Sequence, residues 1–447
     1  MNKIRTIIIC FIITIAVPCG AFAADYSLGD LYRFALERSE TIKIAEEDVY
    51  ISKREKDRAL SALIPTLSAY GYHTRYSRDI VQNDTLLQPD YTNEWGLRIA
   101  KTFSLSGKEF TALSIAKEGI AKSGFDLSST QEEYLFTVAT QYYTVLRARR
   151  ETEIARANVE RLTKQRDAAK KRLEVGEVTK TALLRAEAEL AGAQSELIKA
   201  DNALVIAKTR LAKTVGITGE YAVAEPDIGS EGAIESGEID LSFLTVNCKL
   251  STLDCLKEKA LAERAEIRSL SIERNQAKEQ VKFSQGSYWP DLTLQGVYSR
   301  QENHPASFFG IKERTYGEVK LDFPFFEGGL TRAEVGQARA RFRQAEYSLL
   351  DQKRTISVEV ENAYLAAISE GSVLTQLNKE LAYASDNYNL VSKQFQYGLA
   401  DSLDVIDANT LLVTAERQLR NSEYVYQLAL LRLKRVTGTL LQAVRDN

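Results

Sequence analysis

Histidine and methionine are nearly absent: the 447 residues include two His and one Met, and that Met is the initiator. With only four Cys beside them, a His- or Cys-rich metal site and a haem motif are excluded, and we expect no cofactor and no metal. Neither sign of charge dominates: 58 Lys and Arg face 61 Asp and Glu, a formal net charge of -3 without the basic excess of a nucleic-acid binder. Seven Pro leave room for long unbroken helices. Beyond the N-terminus no run is apolar for about 18 residues, so no transmembrane helix is expected. The chain carries no G-x-x-x-x-G-K-[ST], H-E-x-x-H or G-x-S-x-G. We therefore expect no enzyme and no self-powered transporter. His73 and His304 read as surface or lumen residues rather than catalysts. What remains, 44% apolar and 27% charged, is ordinary for an ordered chain.

The N-terminus has the form of an export signal. Lys3 and Arg5 precede an apolar run from Ile7 to Val17, and Ala21-Phe22-Ala23 supplies a small-x-small cleavage site. The signal peptide covers 1–23, and the mature chain begins near Ala24. A lipoprotein signal using Cys19 is the alternative, but Pro18 stands where a small residue is needed. An exported chain is periplasmic, secreted, or placed in an outer membrane as β-strands. Cys248 and Cys255 survive cleavage. One continuous helix would hold them about 10 Å apart, too far to bond. An N-cap at Ser251 or Thr252 would free Cys248 to fold back, and an oxidising compartment favours pairing. Two unpaired thiols remain the alternative.

Residues 172–216 align without gaps on 394–438. Ala186, Ala193, Ala200 and Ala207 recur every seventh residue, as do Leu190, Leu197, Leu204 and Leu211. The second copy places Ala408, Ala415, Ser422 and Ala429, with Leu412, Leu419, Tyr426 and Leu433, in the same slots. Such a period marks a coiled-coil seam, which a plain amphipathic helix does not need. The repeat extends to the strands that follow Pro65 and Pro290. A first repeat over 24–216 thus holds helices near 27–60, 106–174 and 178–214 and strands near 66–76 and 93–103. After a linker at 217–250, a second over 251–447 holds helices near 251–287, 328–397 and 402–438 and strands near 291–301 and 316–326. At 1.5 Å per residue each long helix spans roughly 100 Å. The geometry that fits is a long helix beside two shorter ones stacked end to end, forming a rod or tube wall.

The strands alternate. Tyr70, Tyr72, Thr74 and Tyr76 oppose Ala69, Gly71, His73 and Arg75; Trp95, Leu97, Ile99 and Phe103 oppose Glu94, Arg98 and Thr102. Leu292, Leu294, Gly296 and Tyr298 oppose Asp291, Thr293, Gln295 and Ser299; Val319, Leu321, Phe323 and Phe325 oppose Glu318, Lys320 and Asp322. The first set of each strand is expected outward, as in a water-filled membrane barrel, with Lys101 an exception near an interface. Four strands leave open edges, which lipid does not tolerate, so the chain must associate through this sheet.

The repeat, the Pro-led strands, "PFFEGGLTRAEVGQAR" at 324–339 and "GLADSLDVIDANTLLVTAERQL" at 398–419 resemble the TolC-like outer-membrane efflux protein family. The resemblance implies a mainly α fold with a small β part: a homotrimer with a twelve-stranded outer-membrane barrel and a twelve-helix α-barrel tunnel in the periplasm. It implies an exit duct of a tripartite efflux or type I secretion system, working with a periplasmic adaptor and an inner-membrane pump or ABC exporter. The competing reading is a periplasmic coiled-coil adaptor or scaffold with no pore, which would have no use for four alternating strands. The resemblance maps Asp404 and Asp407 onto paired acids that ring the periplasmic entrance; the competing role is complementing a helix N-terminus. It places Ala400, Phe395 and Ala182 where the family's prototype has an Arg, Tyr and Asp latch, so that latch is absent or rebuilt. Val175, Gly176, Glu177 and Val178, with Tyr397, Gly398, Leu399 and Ala400, form the tips expected to meet the adaptor.

Overall fold

The computed structural model describes residues 24–82, 85–225, 234–235, 238–239, 252–305 and 312–445; the signal segment 1–23, Cys248 and most of the linker lie outside them. The first half runs β1 Ala24–Tyr26, α1 Leu28–Arg38, α2 Glu40–Ser61, β2 Thr66–Arg75, β3 Ile80–Gln82, β4 Thr85–Gln88, β5 Tyr91–Ser104, α3 Lys108–Glu174, α4 Lys180–Val215 and β6 Tyr221–Val223. The two-residue strands β7 Ile234–Glu235 and β8 Glu238–Ile239 follow. The second half runs α5 Thr252–Glu263, α6 Ala265–Gly286, β9 Asp291–His304, β10 Glu313–Asp322, α7 Leu330–Gln396, α8 Ser402–Val436 and α9 Leu440–Arg445.

The long helices α3 and α7 have 67 residues each, about 100 Å at 1.5 Å per residue. Toward the turn end, α4 lies along α3 and α8 along α7; toward the strand end, α2 and α6 lie along α3, and α5 and α6 along α7. The heptad seam explains this packing. All eight seam residues of α8, from Ala408 to Leu433, are buried, and so are Ala186, Leu190, Ala193, Ala200, Ala207 and Leu211 on α4. Alanine at one seam position lets the backbones approach, and the larger residue at the other fills the gap. Midway along the rod a core forms around Leu31, Leu135, Val138, Tyr142, Leu211 and Leu440. A second forms around Leu256, Ile356, Val360 and Leu433. Each fully buried Leu or Ile contributes about 1.5–3 kcal/mol. At this height β1 pairs in parallel with β6, tying the start of the described chain to the end of the first repeat.

Three helical expectations are corrected. The segment 27–60 is two helices, because Ser39 ends one and starts the next. Its N–H bonds back to the Ala35 carbonyl (3.1 Å) and its Oγ accepts from the Ile42 N–H (3.4 Å). The segment 251–287 breaks at Arg264, whose guanidinium is buried between Glu266 (2.7 Å) and Glu359. The last long helix stops at Val436, where Thr437 caps it and Gly438 takes a φ of 73°. The fourth strand also lies earlier than 316–326: it ends at Asp322, two residues before Pro324, which has no N–H to donate to a ladder.

The sheet is antiparallel with order β10-β9-β5-β2. Directly paired residues share a face, and the register corrects the expectation for the first strand. Trp95, Leu97 and Ile99 pair with Gly71, Ala69 and Leu67, not with the tyrosines. They pair on the other side with Arg300, Tyr298 and Gly296, while Leu292 and Leu294 pair with Leu321 and Val319. One face is therefore Leu67, Trp95, Leu97, Ile99, Leu294, Val319 and Leu321, all well exposed. Tyr70 and Tyr72 stand on the opposite, polar face with Glu94 and Arg98. Tyr70 covers Gly96, where an added Cβ would come within 2.8 Å of its ring, and the Arg98 guanidinium lies 5.3 Å from the ring centroid. Lys101 shares the apolar face but reaches the helix end: its ammonium donates to the Ala62 carbonyl that closes α2. A cation is favoured there by the helix dipole.

Candidate functional site

The two turns far from the sheet are built alike. In the first, Gly176 has a φ of 78°, and the Glu177 N–H bonds to the Arg172 carbonyl (2.8 Å). In the second, Gly398 has a φ of 75°, and the Leu399 N–H bonds to the Gln394 carbonyl (2.8 Å). Both are left-handed helix ends that only glycine adopts without strain. Val175 (70% exposed), Tyr397 (81%) and Leu399 (79%) project from the tips. Gly176, Glu177 and Gly398 are exposed too, while Val178 and Ala400 are half-buried.

Each turn feeds a capped helix. Thr179 accepts from the Ala182 N–H at 3.4 Å and starts α4. Asp401 accepts from the N–H groups of Leu403 (2.7 Å) and Asp404 (2.9 Å), and the Asp404 carboxylate accepts from the Asp401 N–H (2.9 Å). This reciprocal pair satisfies orphan donors at both positions. Asp404 thus has a helix-capping role, whatever else it does. Asp407 lies one turn further along, is exposed like Asp404, and takes no part in the cap. The two carboxylates share a face of α8, because i and i+3 are neighbours on a helix.

The helix α8 that carries them is held along α3 by a line of polar contacts. Arg161 forks onto Glu416 (3.0 and 3.3 Å), the Asn409 amide donates to Asn158 (2.8 Å), and Arg417 pairs with Glu151 (2.7 Å). The line reaches the turn, where the Gln165 amide donates to the Ser402 carbonyl (3.2 Å) and the Arg172 guanidinium to those of Phe395 (2.7 Å) and Gln396 (3.3 Å). Ala182 and Ala400 flank the cleft between the hairpins, and Phe395 is buried at its base. Sequence reasoning missed Arg172 and Gln165, since their partners lie more than 200 residues away.

A second charged cluster lies midway along the rod. Glu132 of α3 is only 9% exposed; burial first, and then the charge of Glu266, push its carboxyl up to about 7. Arg264, the Leu441 N–H and Arg435 pull the other way. Burial also acts against ionised Glu266, but the hydrogen bond and charge of Arg264 outweigh it and hold that carboxyl below its usual range. Cys255, in α5, is disulfide-bonded. The two His are at the far end of the sheet from the helices: His73 Nδ1 lies 2.6 Å from Asn93 Oδ1, and His304, which ends β9, stacks on Tyr91 at 4.9 Å.

A sheet apolar on one face and polar on the other, joined to helices of about 100 Å, is the architecture of an envelope-spanning channel subunit. The outer membrane efflux protein family matches residues 31–217 and 256–439, one match per repeat. The chain belongs to that family and is an outer-membrane channel component. It is 23% identical over 422 residues to outer membrane protein TolC of Vibrio cholerae serotype O1, covering 93% of this chain and 91% of that one. It is 24% identical over 427 residues to the alkaline protease secretion protein AprF of Pseudomonas aeruginosa, covering 94% and 86%. Its fold matches the outer membrane protein VceC from Vibrio cholerae with a TM-score of 0.75 at 20% identity, over 92% and 96% of the two chains.

Proposed function

We propose that three copies of this chain form a passive exit duct whose periplasmic entrance is ringed by Asp404 and Asp407. The observation that carries the reading is the sheet: β2 and β10 are its edges, and its exposed apolar face would leave both edge ladders open in lipid. Joining β10 of one protomer to β2 of the next closes the barrel, and three protomers give twelve strands. A scaffold without a pore has no use for such a face. The tips at 175–178 and 397–400 meet a periplasmic adaptor, and an inner-membrane pump or ABC exporter supplies the energy. Cys255 pairs with Cys248 within the chain.

Asp407→Asn is the clean test of the entrance, because Asp404 also caps α8. Asp404→Ala loses the reciprocal hydrogen bond from the Asp401 N–H while Asp401 still caps α8, and is expected to cost about 0.5–1.5 kcal/mol of stability. Asp407→Asn removes three carboxylates from the trimer and leaves the cap intact. In planar bilayers it is expected to lower cation preference and weaken block by multivalent cations. Unchanged selectivity and block in both Asp407→Asn and the double variant Asp404→Ala with Asp407→Asn would remove the acidic ring.

A further inference from the structure

We propose that Arg172 is the clamp that holds the second tip hairpin against the first and so limits how far the entrance opens. This rests on the tips being the entrance. Arg172 stands in the last turn of α3, with its side chain 21% exposed. Its guanidinium donates to the Phe395 and Gln396 carbonyls at the end of α7. Terminal carbonyls of a helix lack partners within it, and a cation is favoured beside them. The same guanidinium lies 4.0 Å from the centroid of the Phe395 ring, which is only 7% exposed although it is two residues from the bare Tyr397. Glu177, on the first turn, approaches Arg172 Nε at 3.9 Å.

Gln165 grips the other flank of the same turn through the Ser402 carbonyl. The α7–α8 turn is thus pinned to α3 before and after Gly398. All three hydrogen bonds use backbone acceptors, so the clamp fixes the position of the turn whatever side chains its acceptor residues carry. It is also one-sided. The repeat offset puts Gln394 and Asn387 opposite Arg172 and Gln165, and Leu173 opposite Phe395, so the second hairpin has no matching Arg with which to hold the first. Any swing of the second hairpin away from α3 must break the Arg172 fork and lift the guanidinium off the ring. Lys could keep the charge but neither fork nor stack.

The test compares wild-type, Arg172→Ala, Arg172→Lys, Phe395→Leu and Asp407→Asn trimers by single-channel recording. Losing hydrogen bonds from a charged donor is expected to shift the open population about tenfold in Arg172→Ala. Arg172→Lys falls between it and wild type, and Phe395→Leu, which keeps the carbonyls, shows a smaller increase. Wild-type open populations in both Arg172 variants, with Asp407→Asn altering selectivity, would overturn the clamp and leave the entrance standing. No effect in any variant would overturn the entrance itself. Should Arg172→Ala not assemble, Arg172→Lys, which loses both the fork and the stack, carries the test through spin labels at the exposed Val175 and Tyr397. Their distance distribution broadens if the clamp is real, and an unchanged one refutes it.

Discussion

Glu132→Gln should remove a penalty that the wild-type protein carries at neutral and alkaline pH. The wild-type carboxyl is raised from the ordinary 4.5 to about 7, chiefly by burial and then by Glu266. A raised carboxyl binds its proton more tightly in the folded chain than in the unfolded one. Its contribution is therefore most favourable below about 4.5, declines as pH rises from there to about 7, and stays low above. At 1.36 kcal/mol per pH unit the span amounts to about 3 kcal/mol, an upper bound because Arg264 and Arg435 move with the charge. Glu266 acts in the opposite sense: held low by Arg264, it costs stability as pH falls below its ordinary value. The interval from pH 5 to 8 therefore isolates Glu132. Thermal melts of detergent-extracted protein should show wild type and Glu132→Gln nearly coincident at pH 5, with the variant more stable at pH 8. Equal slopes for the two proteins, or a Gln variant less stable at pH 8, would refute the assignment.

Thiol labelling of the denatured, unreduced mature protein should find no free cysteine; two labelled thiols per chain would contradict pairing of Cys248 with Cys255. Ala415 is fully buried in the α8 seam, so Ala415→Leu should cost about 1–3 kcal/mol by overpacking, read as a lower melting temperature; a neutral result would mean that the seam is not close-packed.

The repeat was legible because a seven-residue period survives in both copies, and small seam residues mark where helices touch. The helix breaks were less so. Ser39 carries a cap signal, but the helical pattern continues through it. Arg264 makes no side-chain cap, and what places it there is an ion pair with Glu359, 95 residues on. Alternation revealed two faces in every strand but not which faces align. Tyr70 stands on the polar face because register pairs it with Gly96, a long-range fact that no single strand contains. At the tips, the glycines were legible from local spacing, and Asp404 was singled out by the family resemblance. The Asp404 cap was weighed only as a competing role, and the grip of Arg172 on Phe395 joins the two repeats and leaves no pattern in either.

Native mass spectrometry of the mature protein, released from detergent and matched to bilayer recordings of the same sample, tests the central claim most directly. A mass three times that of the mature chain, with discrete cation-selective conductance, is the expected result. A monomer that forms no channel would contradict the closing of β2 against β10 between protomers, and with it the exit duct.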